Sequence, residues 1–502
     1  MRSFSLLLRF MPLALLLIFS LPSAGTTRRF DFNDRCVTAY RHVLNLEFAH
    51  AARILEEEKK ISPDNAAAAY VESRAGFLRA FISEEDNDYN RFKSAFTRHM
   101  EIMDGLPDSE PWKATARGEM MLQFAIVRLK RKEYLSAGLY IRKSFRLMDE
   151  QERKFPGFVP ALKISGLLHA AIGAVPENYK WLSNLAGMHG TIAGGVHELE
   201  RAARGAGGKW DFLSTEICFL RVFIASHLEK NPQKASEILE SIPIAERQKN
   251  PLLVFLSANT QLANRAYEAA LKTLQSFRLP GNAYTLSYLS YLEGLLMLQR
   301  LDQGSEPMFL DYVTRYKGDS FIKSAWQKLG WIRLLGNDTE GYREMMNRVK
   351  TTGTDFTDED KQALKEAETN EIPNVYLLRA RLLFDGGAHQ RALAELAGKP
   401  PGSFPTLKDQ LEFTYRLARI FDAQNQPEKA IEYYTLTYEN GKSQKWYFAA
   451  NSALHLGMLY EDQKEFGKAA EWYKKCLALR DHEYQNSIDQ KAEAGKNRTI
   501  YD

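Results

Sequence analysis

His197-Glu198-Leu199-Glu200-Arg201 opens like the zinc motif HExxH, where two histidines one helical turn apart share a metal and the glutamate serves as base. Arg201 stands where the second histidine belongs, so the metal face is incomplete. His42 and His50, read along one continuous helix, lie ~12 Å apart. Two imidazoles alone also make a poor metal site, and no metal is expected there. Ser320-Phe321-Ile322-Lys323 fits the S-x-x-K of serine acylases, which also need K-T-G and S-D-N. Lys350-Thr351-Thr352-Gly353 carries an extra residue and S-D-N does not occur, so Ser320 to Lys323 reads as a helix start. Asp86-Asn87-Asp88-Tyr89-Asn90 imitates a calcium loop, but Arg91 replaces the required glycine and Thr97 the bidentate glutamate. Gly205 to Lys209 lacks both the spacing and the Ser/Thr of a phosphate-binding loop. No catalytic residue, cofactor or metal is expected, and the chain reads as a non-enzyme.

The elements that carry these residues are helical. With 502 residues, 45% hydrophobic and 12% aromatic, the chain can bury an extensive core. Lys+Arg 67 against Asp+Glu 63 leaves a net charge of +4 and no concentrated basic patch, which argues against nucleic acid as a partner. Cys36, Cys218 and Cys476 are far apart and odd in number, so buried free thiols are expected and no disulfide.

Residues 1–25 differ in kind. Arg2 and Arg9 precede the apolar run Met11 to Leu21, and Pro22-Ser23-Ala24-Gly25 supplies the small residues at which a signal peptidase cuts. Cleavage is expected after Ala24 or Gly25, giving an exported, periplasmic protein. The alternative is an anchor left uncut, although the apolar run is short for a span of ~20 residues.

Small residues recur at a spacing of twelve: Ala39 and Ala51, Ala125 and Ala137, Ala258 and Ala270, Ala380 and Ala392, Ala418 and Ala430, Gly457 and Ala469. Around the last two pairs, Leu417, Phe421 and Tyr434 match Leu456, Tyr460 and Tyr473 in register. This resembles the frame of the tetratricopeptide repeat (TPR), a ~34-residue helix–turn–helix with small residues where its helices cross. A larger residue would hold the helices beyond ordinary packing distance. The fold class expected is all-α, a right-handed superhelical solenoid of TPR and TPR-like hairpins, in which each repeat buries its face against its neighbours. The two strongest units are offset by 39 residues, and Gly441-Lys442-Ser443-Gln444 reads as the longer turn that absorbs the excess.

The organisation expected is a leader over 1–25, TPR-like repeats over 26–160, a Gly-rich helical hairpin over 161–204, degenerate repeats over 205–355, and TPR repeats with a capping helix over 356–502. The polar, acidic stretch Thr351 to Asp360 reads as a hinge between two halves. Glycine inside a helix costs ~1 kcal/mol against alanine, so Gly166, Gly173, Gly190, Gly194 and Gly195 imply close helix packing. A hairpin touching a membrane is the alternative. The segment Ala161 to Arg204, and the ending His482-Glu483-Tyr484 with Ile488 and Lys491 to Gly495, resemble the eukaryotic TPR family linked to inclusion-body clearance and the outer mitochondrial membrane. The resemblance implies an interaction solenoid with no catalytic residues to carry over. The export-type leader departs from that family, and an exported bacterial relative fits both features.

The concave face of a TPR array is lined by the first helix of each repeat. Counting from the small residues places Asn374, Arg381, Tyr415, Arg419, Asn451 and Met458 there. Tyr and Arg are frequent at binding hot spots, so a protein or peptide partner is expected, through which the chain is held indirectly at a membrane. Clamping of a chaperone's C-terminal carboxylate is not expected, because Arg419 replaces the usual Asn. The second reading is a small-molecule or glycan-capture module. It would gather exposed tryptophans in one groove, whereas the seven of this chain are scattered in sequence.

Overall fold

The computed structural model describes residues 28–175 and 187–499. The expected leader therefore lies outside the described residues, as do Pro176, Glu177, Lys180 and Trp181 of the Gly-rich segment. The described chain is all-α, and its one strand-like pairing is a bridge between Arg29 and Asn65. Its contacts divide it into two compact units. Unit one runs to Leu252 and includes Leu279–Thr285; unit two holds Leu253–Arg278 and the chain from Leu286 onward.

Unit one contains α1 (Asp34–Leu44), α2 (Phe48–Ile61), α3 (Ala66–Ser83), α4 (Asp86–Asp104), α5 (Pro111–Lys130), α6 (Tyr134–Lys154), α7 (Val159–Gly173), α8 (Ile192–Gly205), α9 (Ser214–His227), α10 (Pro232–Glu240) and α11 (Ile244–Arg247). Unit two is built from α12 (Pro251–Ala263), whose first two residues fall in unit one, and α13 (Tyr267–Ser276). It continues with α14 (Tyr288–Gln299), α15 (Ser305–Arg315), α16 (Ile322–Leu335), α17 (Thr339–Thr351), α18 (Asp358–Thr369), α19 (Val375–Asp385) and α20 (His389–Leu396). The last five are α21 (Leu407–Ala423), α22 (Pro427–Gly441), α23 (Phe448–Asp462), α24 (Phe466–Ala478) and α25 (Gln485–Arg498). Short polar side chains start many of them: the Asn33 side chain accepts from the Cys36 N–H at 3.1 Å, and Thr406 accepts from Asp409 at 3.1 Å.

Every alanine of the six twelve-residue pairs is fully buried. Seven residues after the first member of each pair, at Leu46, Lys132, Arg265, Gly387, Asn425 and Lys464, the backbone turns left-handed. The next N–H then bonds a carbonyl five residues back, as Glu47 to His42 (2.8 Å), Gln426 to Phe421 (2.9 Å) and Glu465 to Tyr460 (2.8 Å). This left-handed stop satisfies an end carbonyl and folds the second helix back on the first. Leu301 and Asn337 make the same turn seven residues after Gly294 and Gly330. These are two further repeats that the twelve-residue pairing does not reveal, because Glu306 and Tyr342 stand in the second small position. A glycine followed at seven residues by a helix-ending turn was the signal available for them.

The Gly-rich hairpin packs by backbone contact. A Cβ on Gly166 would stand 2.8 Å from the carbonyl oxygen of Gly195, and one on Gly190 would stand 2.6 Å from that of His169. Among the described residues no helix is long and apolar enough to cross a membrane. Thr351 to Asp360 is not a hinge between halves, since it lies within unit two. Asp360 is fully buried and accepts from the backbone N–H groups of Phe321 (2.7 Å) and Ser324 (3.0 Å), so it ties α18 to the start of α16.

Candidate protein-binding groove

In unit one the first helices α1, α3, α5, α7 and α9 converge on a buried ion cluster. Lys163 Nζ donates to Glu119 Oε1 at 3.0 Å and to Glu216 Oε2 at 2.7 Å. Arg74 pairs with both carboxylates, Tyr40 donates to Glu216, and Tyr70 donates to Glu119 at 2.6 Å. Two cations face two anions, and buried charges need such pairing to offset their lost hydration. Burial pushes Glu216 up, but Arg74 and Lys163 outweigh it and hold the carboxyl down at about 2.

The chain's own N-terminal segment fills this face. Phe30 stacks on Trp112 with ring centres 4.4 Å apart, and Phe32 stacks on Phe212 at 4.3 Å. The backbone is fixed as well: the Arg29 carbonyl accepts from Ala66 at 2.8 Å, and the Asn65 side chain bonds both backbone groups of Asp31. Trp112 and Trp210, scattered in sequence, come within 5.9 Å here, and Trp112 is stacked by Phe30 and Phe32.

In unit two the residues read as groove-lining lie on the first helices α19, α21 and α23, with Asn374 at the start of α19. Asn374 caps α19, accepting from the Tyr376 N–H at 3.0 Å. Arg381 lies 4.9 Å over the ring of Trp331 and only loosely pairs with Asp385 at 3.9 Å. Tyr415 is not a free groove side chain: it is 1% exposed, and its hydroxyl accepts from Arg419 at 2.9 Å and Asn451 at 2.5 Å. It holds those two neighbours in place. Half-buried Arg419 also lies 5.0 Å over Phe384. Among the described residues no carboxylate lies within ion-pair distance of Arg419, whereas Arg416 beside it pairs with Glu412 at 2.8 Å. Met458 is partly buried against the last hydrophobic cluster.

Sequence counting missed the segment that borders this face. Glu483 pairs with Lys365 at 3.1 Å, and half-exposed Tyr484 packs edge-on to Tyr447 at 5.5 Å. These residues sit in the turn between α24 and α25, and no helical periodicity marks them.

The motifs resembling catalytic sites resolve into packing, with one exception. Ser320 and Lys323 flank the start of α16; the Ser320 carbonyl accepts from Tyr312 at 2.7 Å, and Lys323 donates to the Val349 carbonyl at 2.7 Å. Asp88 is buried in α4 and pairs with Arg79 at 2.9 Å. Glu198 bonds His169 across the Gly-rich hairpin at 2.7 Å, which raises the His169 pKa. The exception is His42 and His50. They do not share one helix, because the left-handed turn at Leu46 parts α1 from α2 and brings their rings within 5.5 Å.

Residues 450–482 match the tetratricopeptide repeat family. That span holds α24 and nearly all of α23, including Asn451, Gly457, Met458, Ala469 and Tyr473. No curated protein matches the chain in sequence. Among solved structures, yeast Tom70 is 12% identical, covering 84% of this chain and 96% of its own, with a TM-score of 0.23. The Cut9–Hcn1 hetero-tetramer of the APC/C is 14% identical, covering 92% of this chain and 96% of its own, with a TM-score of 0.25. Likeness this loose carries no inference about partners.

Proposed function

We propose that the protein is a non-catalytic scaffold whose unit-two groove binds a protein segment bearing a carboxylate. The observation that carries this is Arg419, a guanidinium with no ion-pair partner among the described residues, aimed by the Tyr415 hydroxyl between Tyr415 and Phe384. An arginine set over aromatic rings suits a planar carboxylate and an adjoining apolar side chain. Unit one is unsuited to the same task, since Phe30 and Phe32 already occupy its groove.

The reading continues to a setting in the cell envelope, as an exported bacterial relative of the resembled family. The basic, apolar and small-residue order of Met1 to Gly25 supports export. The mass of the protein recovered from its producing cell tests this: loss of about the first 25 residues is expected, and an intact leader rejects it in favour of an anchor.

For the groove, a photo-crosslinking residue at Met458 is introduced in the full chain in cells. A discrete protein adduct is expected, and Arg419→Ala in the same chain abolishes it. No adduct, or one indifferent to Arg419→Ala, defeats the proposal.

A further inference from the structure

The turn between α1 and α2 places His42, Glu47 and His50 together. Each offers one ligand atom, and these atoms all lie within 4.8 Å of one another. The turn does this by its own geometry. Leu46 is left-handed (φ 61°), and the Glu47 N–H bonds the His42 carbonyl at 2.8 Å, so the end of α1 faces the first turn of α2. Glu47 Oε2 contacts Nδ1 of His42, and the two rings stand edge to face. All three side chains are partly buried, which leaves an ion a path from solvent.

A neighbouring segment fixes the geometry of this turn. The Leu279–Thr285 segment of unit one returns to this turn, where the Tyr284 N–H donates to the Leu46 carbonyl at 2.8 Å. That bond sets the Asn282 side-chain amide 3.0 Å from Nδ1 of His50. The Asn282 amide nitrogen donates to Nδ1 there, which limits how the His50 ring can turn, while the candidate ligand set is His42, Glu47 and His50 alone.

We propose that His42, Glu47 and His50 bind a divalent transition-metal ion of the zinc class. Two imidazoles and one carboxylate form a borderline-soft set that suits Zn²⁺ and leaves a fourth position for water. Bonds of about 2.0–2.1 Å in a tetrahedron put ligand atoms roughly 3.4 Å apart, so closing the set takes side-chain shifts on the order of 1 Å. The ion would pin the first hairpin of unit one, joining α1 to α2 beside the segment that Tyr284 anchors.

The test is titration of Zn²⁺ into the untagged full chain by calorimetry after chelator treatment. One ion per chain is expected. His42→Ala, His50→Ala and Glu47→Gln should each weaken binding by at least tenfold. His197→Ala, remote in sequence from this turn, should change nothing. Absence of saturable binding overturns the proposal, as do wild-type affinity in both histidine variants or an equal loss in His197→Ala. If a histidine variant fails to fold by circular dichroism, Co²⁺ added to the wild-type chain decides. Intense visible bands of tetrahedral cobalt, removed by Glu47→Gln, support the site, and a weak octahedral spectrum rejects it.

Discussion

The ring of Tyr473 lies so close to Gly457 that a Cβ there would sit 2.5 Å from its Cε1. The other side of the same ring abuts Gly495 of α25, and the hydroxyl donates to Glu461 at 2.5 Å. One aromatic side chain is thus clasped between glycines of two helices and tied at its tip. Gly457→Leu should overpack this crossing and destabilise the chain by about 1–3 kcal/mol. Gly467→Ala, at a position with open space around it, should stay within about 0.5 kcal/mol of wild type. Urea denaturation of both variants checks the contrast, and equal midpoints would contradict the clasp.

Tyr415→Phe separates positioning from packing. The ring and its burial remain, while the bonds from Arg419 and Asn451 are lost. A cost of about 1–3 kcal/mol is expected from the orphaned partners. The Met458 crosslink should fall as it does for Arg419→Ala. Tyr415→Ala should cost more, about 3–5 kcal/mol, because it also empties a buried site. Melting curves beside crosslink yields distinguish the two effects.

Stability should depend on pH through Glu216. Its folded pKa, about 2, lies below the ordinary 4.5, so below 4.5 the unfolded chain binds the extra proton first. The associated stability is fully present above pH 4.5 and is lost as pH falls toward 2. Thermal melts from pH 6 to pH 2.5 should show a steeper decline for wild type than for Glu216→Gln. Parallel curves would place the acid sensitivity elsewhere.

The cysteines should be inert in the folded protein. Burial pushes the Cys36 and Cys476 thiols up to about 12, and the Cys476 thiol donates to the Ala450 carbonyl at 3.3 Å. Since the thiolate is the reactive form, iodoacetamide at pH 8 should leave both unmodified until denaturant is added. Mass spectrometry of native and denatured samples reads this directly.

Sequence alone determined the class of fold and the helix crossings. A small residue is demanded wherever two helices touch, so Ala39, Ala51, Ala418, Ala430, Gly457 and Ala469 announced their burial by spacing. The dense glycines of the 161–204 segment announced close backbone contact for the same reason, and Gly166 against Gly195 is that contact. Only tertiary structure decided which polar side chains face one another. Tyr415 counted to the groove but is buried, because Asn451, from the next repeat, and Arg419 close over its hydroxyl. Lys163 and Glu216, on α7 and α9, became an ion pair because helices separated in sequence pack around one largely buried site. Along one continuous helix His42 and His50 lie too far apart to share an ion, and a single left-handed residue, Leu46, brings them together. Local spacing records what a helix needs along its own axis; the chemistry between helices depends on turns and superhelical packing, whose angles leave no periodic trace in the chain.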